Sequence, residues 1–218
     1  MISIILLFLI FASIHSITVS GKFKQACKDL FSDTFMRVYY RALYNLISAV
    51  TFAVVLSLIS QVPDQKVWIA PHWLKWTMHG IQLAGLVFGA RSFEYLDTGE
   101  FMGFKQIWRY FSRHEVTGNI EGLTERELVT TGVYGIVRHP MYLAGLVIVI
   151  FNPILTMNGL TFSLLAGLYF LFGVFIEERR FVEIFGDQYR EYMKRVPMLI
   201  PRMLYFRGLK KRKNNETG

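Results

Sequence analysis

The residues with chemistry to offer stand together in the stretch TTGVYGIVRHPMYLAG, which carries Tyr134, Arg138, His139, Pro140, Tyr142 and Gly145. Proline suits the first turn of a helix, where its missing N–H costs nothing. That places His139 near the N-cap and Arg138 just outside it, where free backbone amides and the positive end of the helix dipole meet. Such a point favours an anion, a carboxylate or a phosphate. Gly145 lets a second helix or a ligand approach closely. Further on, Glu177 and Glu178 sit at the end of another apolar run. Acidic side chains there are costly unless solvated, paired or functional. Each feature also has a plainer reading. Arg138 and His139 could anchor a helix at lipid headgroups, Tyr142 could be an interfacial aromatic, and the two glutamates could pair with Arg179 and Arg180.

The elements that must position these residues read as membrane helices. Of 218 residues, 53% are apolar and 18% charged, and the mean hydropathy is +0.34. That composition suits a small all-α integral membrane protein. The net charge of +8 is read as loops facing an anionic leaflet, with no nucleic-acid partner. The single Cys27 excludes internal disulfides and cysteine-cluster metal sites, and no metal is expected.

Five apolar segments are expected to cross the bilayer: 1–19, 44–62, 74–93, 141–157 and 160–176. The last two read as a tight helical hairpin turning at Asn158-Gly159, with a kink at Asn152-Pro153. Equal legs bring Glu177 and Glu178 back to the level of Arg138 and His139. Basic residues fill the loops 20–43 and 94–140 and the tail, whereas 63–73 holds Lys66 alone. The positive-inside rule then gives an outward N-terminus, five crossings, and a C-terminus and active site on the cytoplasmic side. FMGFKQIWRYFSR (101–113) reads as an interfacial amphipathic helix. Residues 178–195 read as a cytoplasmic helix, or two joined at Gly186. The organisation is N-terminal membrane helices over 1–113, a C-terminal segment over 114–205 and a basic tail over 206–218.

RHPMYLAG, an apolar hairpin and EERRFVEIFGDQYREYMKRVP together resemble the membrane methyltransferase superfamily of isoprenylcysteine carboxyl methyltransferases and phospholipid methyltransferases. The family pattern is Arg-His-Pro-x-Tyr-x-Gly followed by a paired Glu. Here the glycine falls one place later, after Ala144. The resemblance implies S-adenosylmethionine as methyl donor. Its carboxylate would meet the helix N-terminus with Arg138 or His139. Its ammonium and ribose would meet Glu177 or Glu178, and its sulfonium an aromatic face such as Tyr142 or Tyr134. IHSITVSGKFK, RVYYRALYNL and GEFMGFKQI are similar to the branch of NnrU-type proteins and methanethiol S-methyltransferases. That branch implies a thiol acceptor, with Phe101 and Gln106 shaping its entrance.

A thiol reacts as thiolate and needs a base or a positive environment. His15, His139 and His79 are the candidates, and His15 is expected near the cytoplasmic end of the first helix. Catalysis is therefore assigned to His15, Arg138 and His139. Two other acceptors stay open: a prenylcysteine carboxylate and a phospholipid amine. So does a non-catalytic, NnrU-like accessory protein binding haem through an axial histidine, for which His15, His72, His79 and His114 are candidates besides His139.

Overall fold

The computed structural model describes residues 1–114 and 128–201; the basic tail 206–218 lies outside them. Helix α1 spans Ile2–Val19, α2 Gly21–Leu30 and α3 Asp33–Ser60. Strand β1 is Lys66–Ile69, and α4 runs from His72 to Ala90. Two short helices follow, α5 (Thr98–Met102) and α6 (Phe104–Phe111). The 3₁₀ turn Gly132–Gly135 leads into α7, Pro140–Ile150. Strand β2 (Ile154–Thr156), α8 (Met157–Phe185) and α9 (Asp187–Arg195) complete the order.

Among the described residues, three helices are long and apolar enough to cross a bilayer: α1, α3 and α8. The protein is a membrane protein built mainly of helices, and of the five expected crossings these three are the candidate spans. Helix α7 has 11 residues, roughly 16 Å at 1.5 Å per residue, against a hydrocarbon core of about 30 Å. It stops because Asn152-Pro153 cannot continue it. The chain then returns as β2, antiparallel to β1, so the architecture carries a small two-stranded sheet that the all-α reading lacked.

This sheet also moves the expected turn. Asn158 and Gly159 form the first turn of α8 rather than a link between two helices. Thr156 caps that turn by accepting from the Gly159 amide at 3.0 Å. The Asn158 side chain donates to the carbonyls of Val62 and Pro63, and Asp64 accepts from the Asn158 amide. These bonds tie the α3–β1 connection to the head of α8.

Helix α8 runs unbroken past Ile176 for 29 residues and ends at Gly186, whose φ of +57° is left-handed. The expected joint between the two C-terminal helices therefore falls at that glycine, where φ > 0 carries no steric penalty. The single interfacial helix expected over 101–113 is two helices, broken at Gly103 (φ +87°). A Cβ there would lie 2.5 Å from the Ala42 amide nitrogen, so α3 touches this turn at backbone distance.

Helix α7 is held on both sides by small residues. A Cβ on Gly89 of α4 would meet the Ala144 Cβ at 2.5 Å, and one on Gly145 would meet the Phe170 ring of α8 at 2.8 Å. Backbones this close fix where the N-terminus of α7 can lie.

Candidate functional site

The first turn of α7 abuts the C-terminal part of α8, and the two meet through Arg138. Arg138 is 9% exposed. Its Nε lies 2.7 Å from Oε1 of Glu178 and its Nη2 lies 2.6 Å from the same oxygen. Its Nη1 donates to the carbonyls of Met193, at 3.1 Å, and Val196. The guanidinium is thus spent on Glu178 and on the end of α9. Its backbone amide and that of His139 are spent as well, donating to the carbonyls of Pro197 and Met198 at 2.9 and 3.2 Å. The free amides expected at Arg138 and His139 are absent, because the segment after α9 covers them. The first bond within α7 runs from the Leu143 amide to the His139 carbonyl.

His139 stands between the two glutamates. Its Nε2 lies 3.2 Å from Oε1 of Glu178 and its Nδ1 3.5 Å from Oε2 of Glu177. Burial pulls its pKa down, but the hydrogen bonds and negative charges of Glu177 and Glu178 outweigh that, and the net shift is upward. The two glutamates thus make the imidazole hold its proton more tightly, and Arg138, His139, Glu177 and Glu178 form one cluster of ion pairs.

The two glutamates differ. Glu178 is 7% exposed, and its Oε1 takes both Arg138 and His139. Glu177 is half-buried, and its Oε2 is shielded from solvent with only the long 3.5 Å contact to His139. Glu177 lines a cavity of about 430 Å³ to which α2, α3, the 3₁₀ turn, the start of α7, the end of α8 and α9 contribute. That volume lies within the range of small-molecule sites, roughly 300–1,000 Å³. Its walls are largely aromatic and apolar, with Tyr44, Phe101, Tyr134, Tyr142 and Phe181 among them. A second unsatisfied group lines it. Tyr189 is 1% exposed, and its hydroxyl has no partner. Burial raises the pKa of Tyr189 and of Tyr134, so both stay neutral phenols. Tyr192 is a tie rather than a ligand, since its hydroxyl donates to the Tyr134 carbonyl at 2.6 Å.

Of the residues singled out in the sequence, Tyr134, Arg138, His139, Pro140, Tyr142, Glu177 and Phe101 line this cavity. Phe101 holds the Arg41 guanidinium 5.6 Å above its ring. Others lie elsewhere. Gly145 serves the contact with Phe170. Gln106 is buried and donates to the Glu100 carbonyl, bracing the α5–α6 corner. His15 belongs to a separate cluster inside the helices. Its ring takes bonds with Ser48 Oγ at 3.1 Å and the Tyr44 hydroxyl at 3.0 Å, and it packs beside Tyr169. Tyr44 stands in the cavity wall and His15 does not. His79 bonds with Gln82, which donates to the Ile148 carbonyl. Sequence reasoning missed the cavity's third side, Lys24, Arg41 and Arg180. The only available signal was the basic pattern of 20–43, which reads equally as an ordinary cytoplasmic loop.

Methanethiol S-methyltransferase 1 of Bradyrhizobium diazoefficiens is 39% identical over 93 residues, 42% of this chain and 33% of that protein. Methanethiol S-methyltransferase of Pseudomonas deceptionensis is 31% identical over 208 residues, 90% of this chain and 71% of that protein. Protein-S-isoprenylcysteine O-methyltransferase of Schizosaccharomyces pombe is 39% identical over 77 residues, about a third of each chain. No solved structure matches. The profile of the NnrU protein family matches residues 3–202, and the chain belongs to that family.

Proposed function

We propose that the chain is a membrane methyltransferase that takes S-adenosylmethionine as donor and a small or lipophilic thiol as acceptor, working at the cytoplasmic face. The observation that carries this reading is an aromatic-lined cavity of about 430 Å³ with the Glu177 carboxylate in its wall. Oε2 of Glu177 has only the long 3.5 Å contact with His139, and a ligand ammonium or hydroxyl would supply the short hydrogen bond it lacks. Tyr189, whose hydroxyl has no partner, lines the same cavity. The residues therefore fit the donor, which brings an ammonium, ribose hydroxyls and a positively charged sulfonium. When bound, the donor supplies an electrophilic methyl group.

The chain's part is positioning and exclusion of water. Glu177 and Tyr189 take the polar ends. Tyr142 and Tyr134 offer faces to positive charge. Arg138 and Glu178 act as a strut that keeps α7, α8 and α9 at a fixed distance. His139 bridges the two glutamates. The named relatives support the activity, and the two relatives called methanethiol S-methyltransferases favour sulfur over oxygen as acceptor.

The test uses the purified chain in detergent with methyl-labelled S-adenosylmethionine, offering methanethiol and a farnesylcysteine analogue in parallel. Label in the volatile sulfide is the expected result. Label in the methyl ester would move the chain to carboxyl methylation, the reading that the match to the S. pombe relative favours. A Soret band in purified protein with no binding of the donor would replace the enzyme by a haem-binding accessory protein.

A further inference from the structure

A closed polar ring lies behind the cavity wall. Tyr44 lines the cavity, and His15 and Ser48 do not. The Tyr44 hydroxyl lies 3.0 Å from His15 Nε2, and His15 Nδ1 lies 3.1 Å from Ser48 Oγ. Ser48 stands one turn along α3 from Tyr44, and their side chains hydrogen-bond to each other as well. The imidazole is clamped in place. Phe11 stacks on it at 5.6 Å, and Tyr169, itself tied to Ser16 at 2.9 Å, meets it edge-on. Helices α1, α3 and α8 thus hold one ring of three hydrogen-bonded side chains.

A neutral imidazole has one N–H and one acceptor nitrogen, and each hydroxyl has one O–H. Three hydrogens therefore fill three contacts, whichever way round the ring the donors run. In both directions the Tyr44 hydrogen is used inside the ring. Its oxygen keeps one lone pair, and that lone pair is what it offers to the cavity. Such a group suits a partner that brings its own hydrogen, such as a thiol S–H. It discriminates against a carboxylate, which only accepts. His139, the histidine that lines the cavity, is committed elsewhere, since its two nitrogens face Glu178 and Glu177.

We propose that Tyr44 takes the proton of the acceptor thiol, with His15 as the positioning residue that stores it. The inference rests on the methyl-transfer reading above and accounts for a thiol rather than a carboxylate as acceptor. The thiol S–H bond breaks and its proton moves to the Tyr44 oxygen. The Tyr44 hydrogen moves on to His15, directly to Nε2 or through Ser48 to Nδ1, and the imidazole ends with two N–H groups. The freed sulfur lone pair forms the new S–C bond as the donor's S–CH₃ bond breaks. That bonding pair stays with the donor sulfur, turning a sulfonium into a neutral thioether. The extra proton returns from His15 through Tyr44 to water as the product leaves. The titratable and charged groups around the pair are Tyr169 and Glu177 of α8, Tyr142 of α7, Tyr40 and Arg41 of α3 and Lys24 of α2. Among the described residues, α5 brings only Phe101 to this cavity and α6 brings none.

The experiment measures methyl transfer to propanethiol, mostly protonated at neutral pH, and to thiophenol, mostly thiolate there, alongside donor affinity. Tyr44→Phe is expected to slow propanethiol about 100-fold, within the range for proton transfer to a positioned side chain, and thiophenol no more than about 3-fold. Donor affinity should stay unchanged. The propanethiol rate in this variant should climb with pH more steeply than in the parent, because it then follows the thiolate formed in solution. His15→Phe keeps an aromatic ring packed at this position but opens the hydrogen-bonded ring, leaving Tyr44 a hydrogen to turn toward the cavity. Propanethiol should again slow. Butanoate should now protect the variant, and not the parent, against thermal unfolding.

Equal losses for the two thiols in Tyr44→Phe, or no loss for either, would overturn the proposal. So would a His15→Phe variant that keeps the parent's rate, or a parent that butanoate protects equally. A parent that binds donor yet methylates neither thiol is a separate failure, that of the thiol reading itself, and takes this proposal with it.

Discussion

Glu177 and Glu178 are adjacent in the chain and opposite in circumstance. Glu178 meets Arg138 at 2.6 Å and His139 at 3.2 Å, both through Oε1. Glu177 has only a long contact, its Oε2 lying 3.5 Å from His139. The first residue joins α7 to α8 and α9. The second is left incomplete by the fold and faces a cavity. A paired glutamate in a motif therefore need not be two copies of one role. Successive residues on a helix point about 100° apart, so one can bind protein and the next a ligand.

Breaking the strut should have the largest effect. Glu178→Gln or Arg138→Gln leaves a buried charge without its partner, which costs about 3–5 kcal/mol. Thermal unfolding in detergent should show a large drop in midpoint for either variant, with activity lost alongside. Glu177→Gln should do the reverse. Its unfolding midpoint should stay near that of the parent, while donor affinity falls roughly 10- to 100-fold. That range matches about 1.5–3 kcal/mol for a hydrogen bond to a charged group. If Glu177→Gln unfolds as readily as Glu178→Gln, the contrast between the two positions is wrong.

A graded effect should come from His139, which touches both glutamates. Its folded pKa is raised, so the stability it contributes is complete below its unfolded value, about 6.5. That contribution fades as pH climbs through the folded value. The difference in unfolding midpoint between the parent and His139→Gln should shrink steadily across that window. A difference that grows with pH would mean the imidazole is neutral in the folded protein. The smallest change is expected from Tyr189→Phe. Removing an unpartnered hydroxyl should leave stability intact or slightly improved. Donor binding should weaken by about 0.5–1.5 kcal/mol, the worth of one ordinary hydrogen bond.

Much of the site's layout was legible in the sequence, for a geometric reason. Pro140 marks the start of α7, and the apolar run ending at Glu177 marks its partner, so only the return of the chain had to be guessed. The guess about the return was nevertheless wrong in form. Helix α7 stops at Ile150, and the missing length is made up by β2, whose partner β1 lies 85 residues before it in sequence (154 less 69). Periodicity cannot reveal a pairing between two strands of four and three residues. His15 was expected to reach the layer of the site, but hydrophobic pattern says nothing of which face of α1 meets Tyr44 and Ser48. The cation cluster was hidden for a similar reason. Lys24 belongs to a ten-residue helix, α2, that reads as a loop until it is seen folded against α3.

The two backbone bonds from Arg138 and His139 to Pro197 and Met198 have a consequence in time rather than in energy. They are the last stitches of a segment that follows α9 and lies across the start of α7. An amide in such a bond exchanges its hydrogen only when the bond opens. Exchange at these two positions therefore clocks the departure of that segment from the mouth of α7.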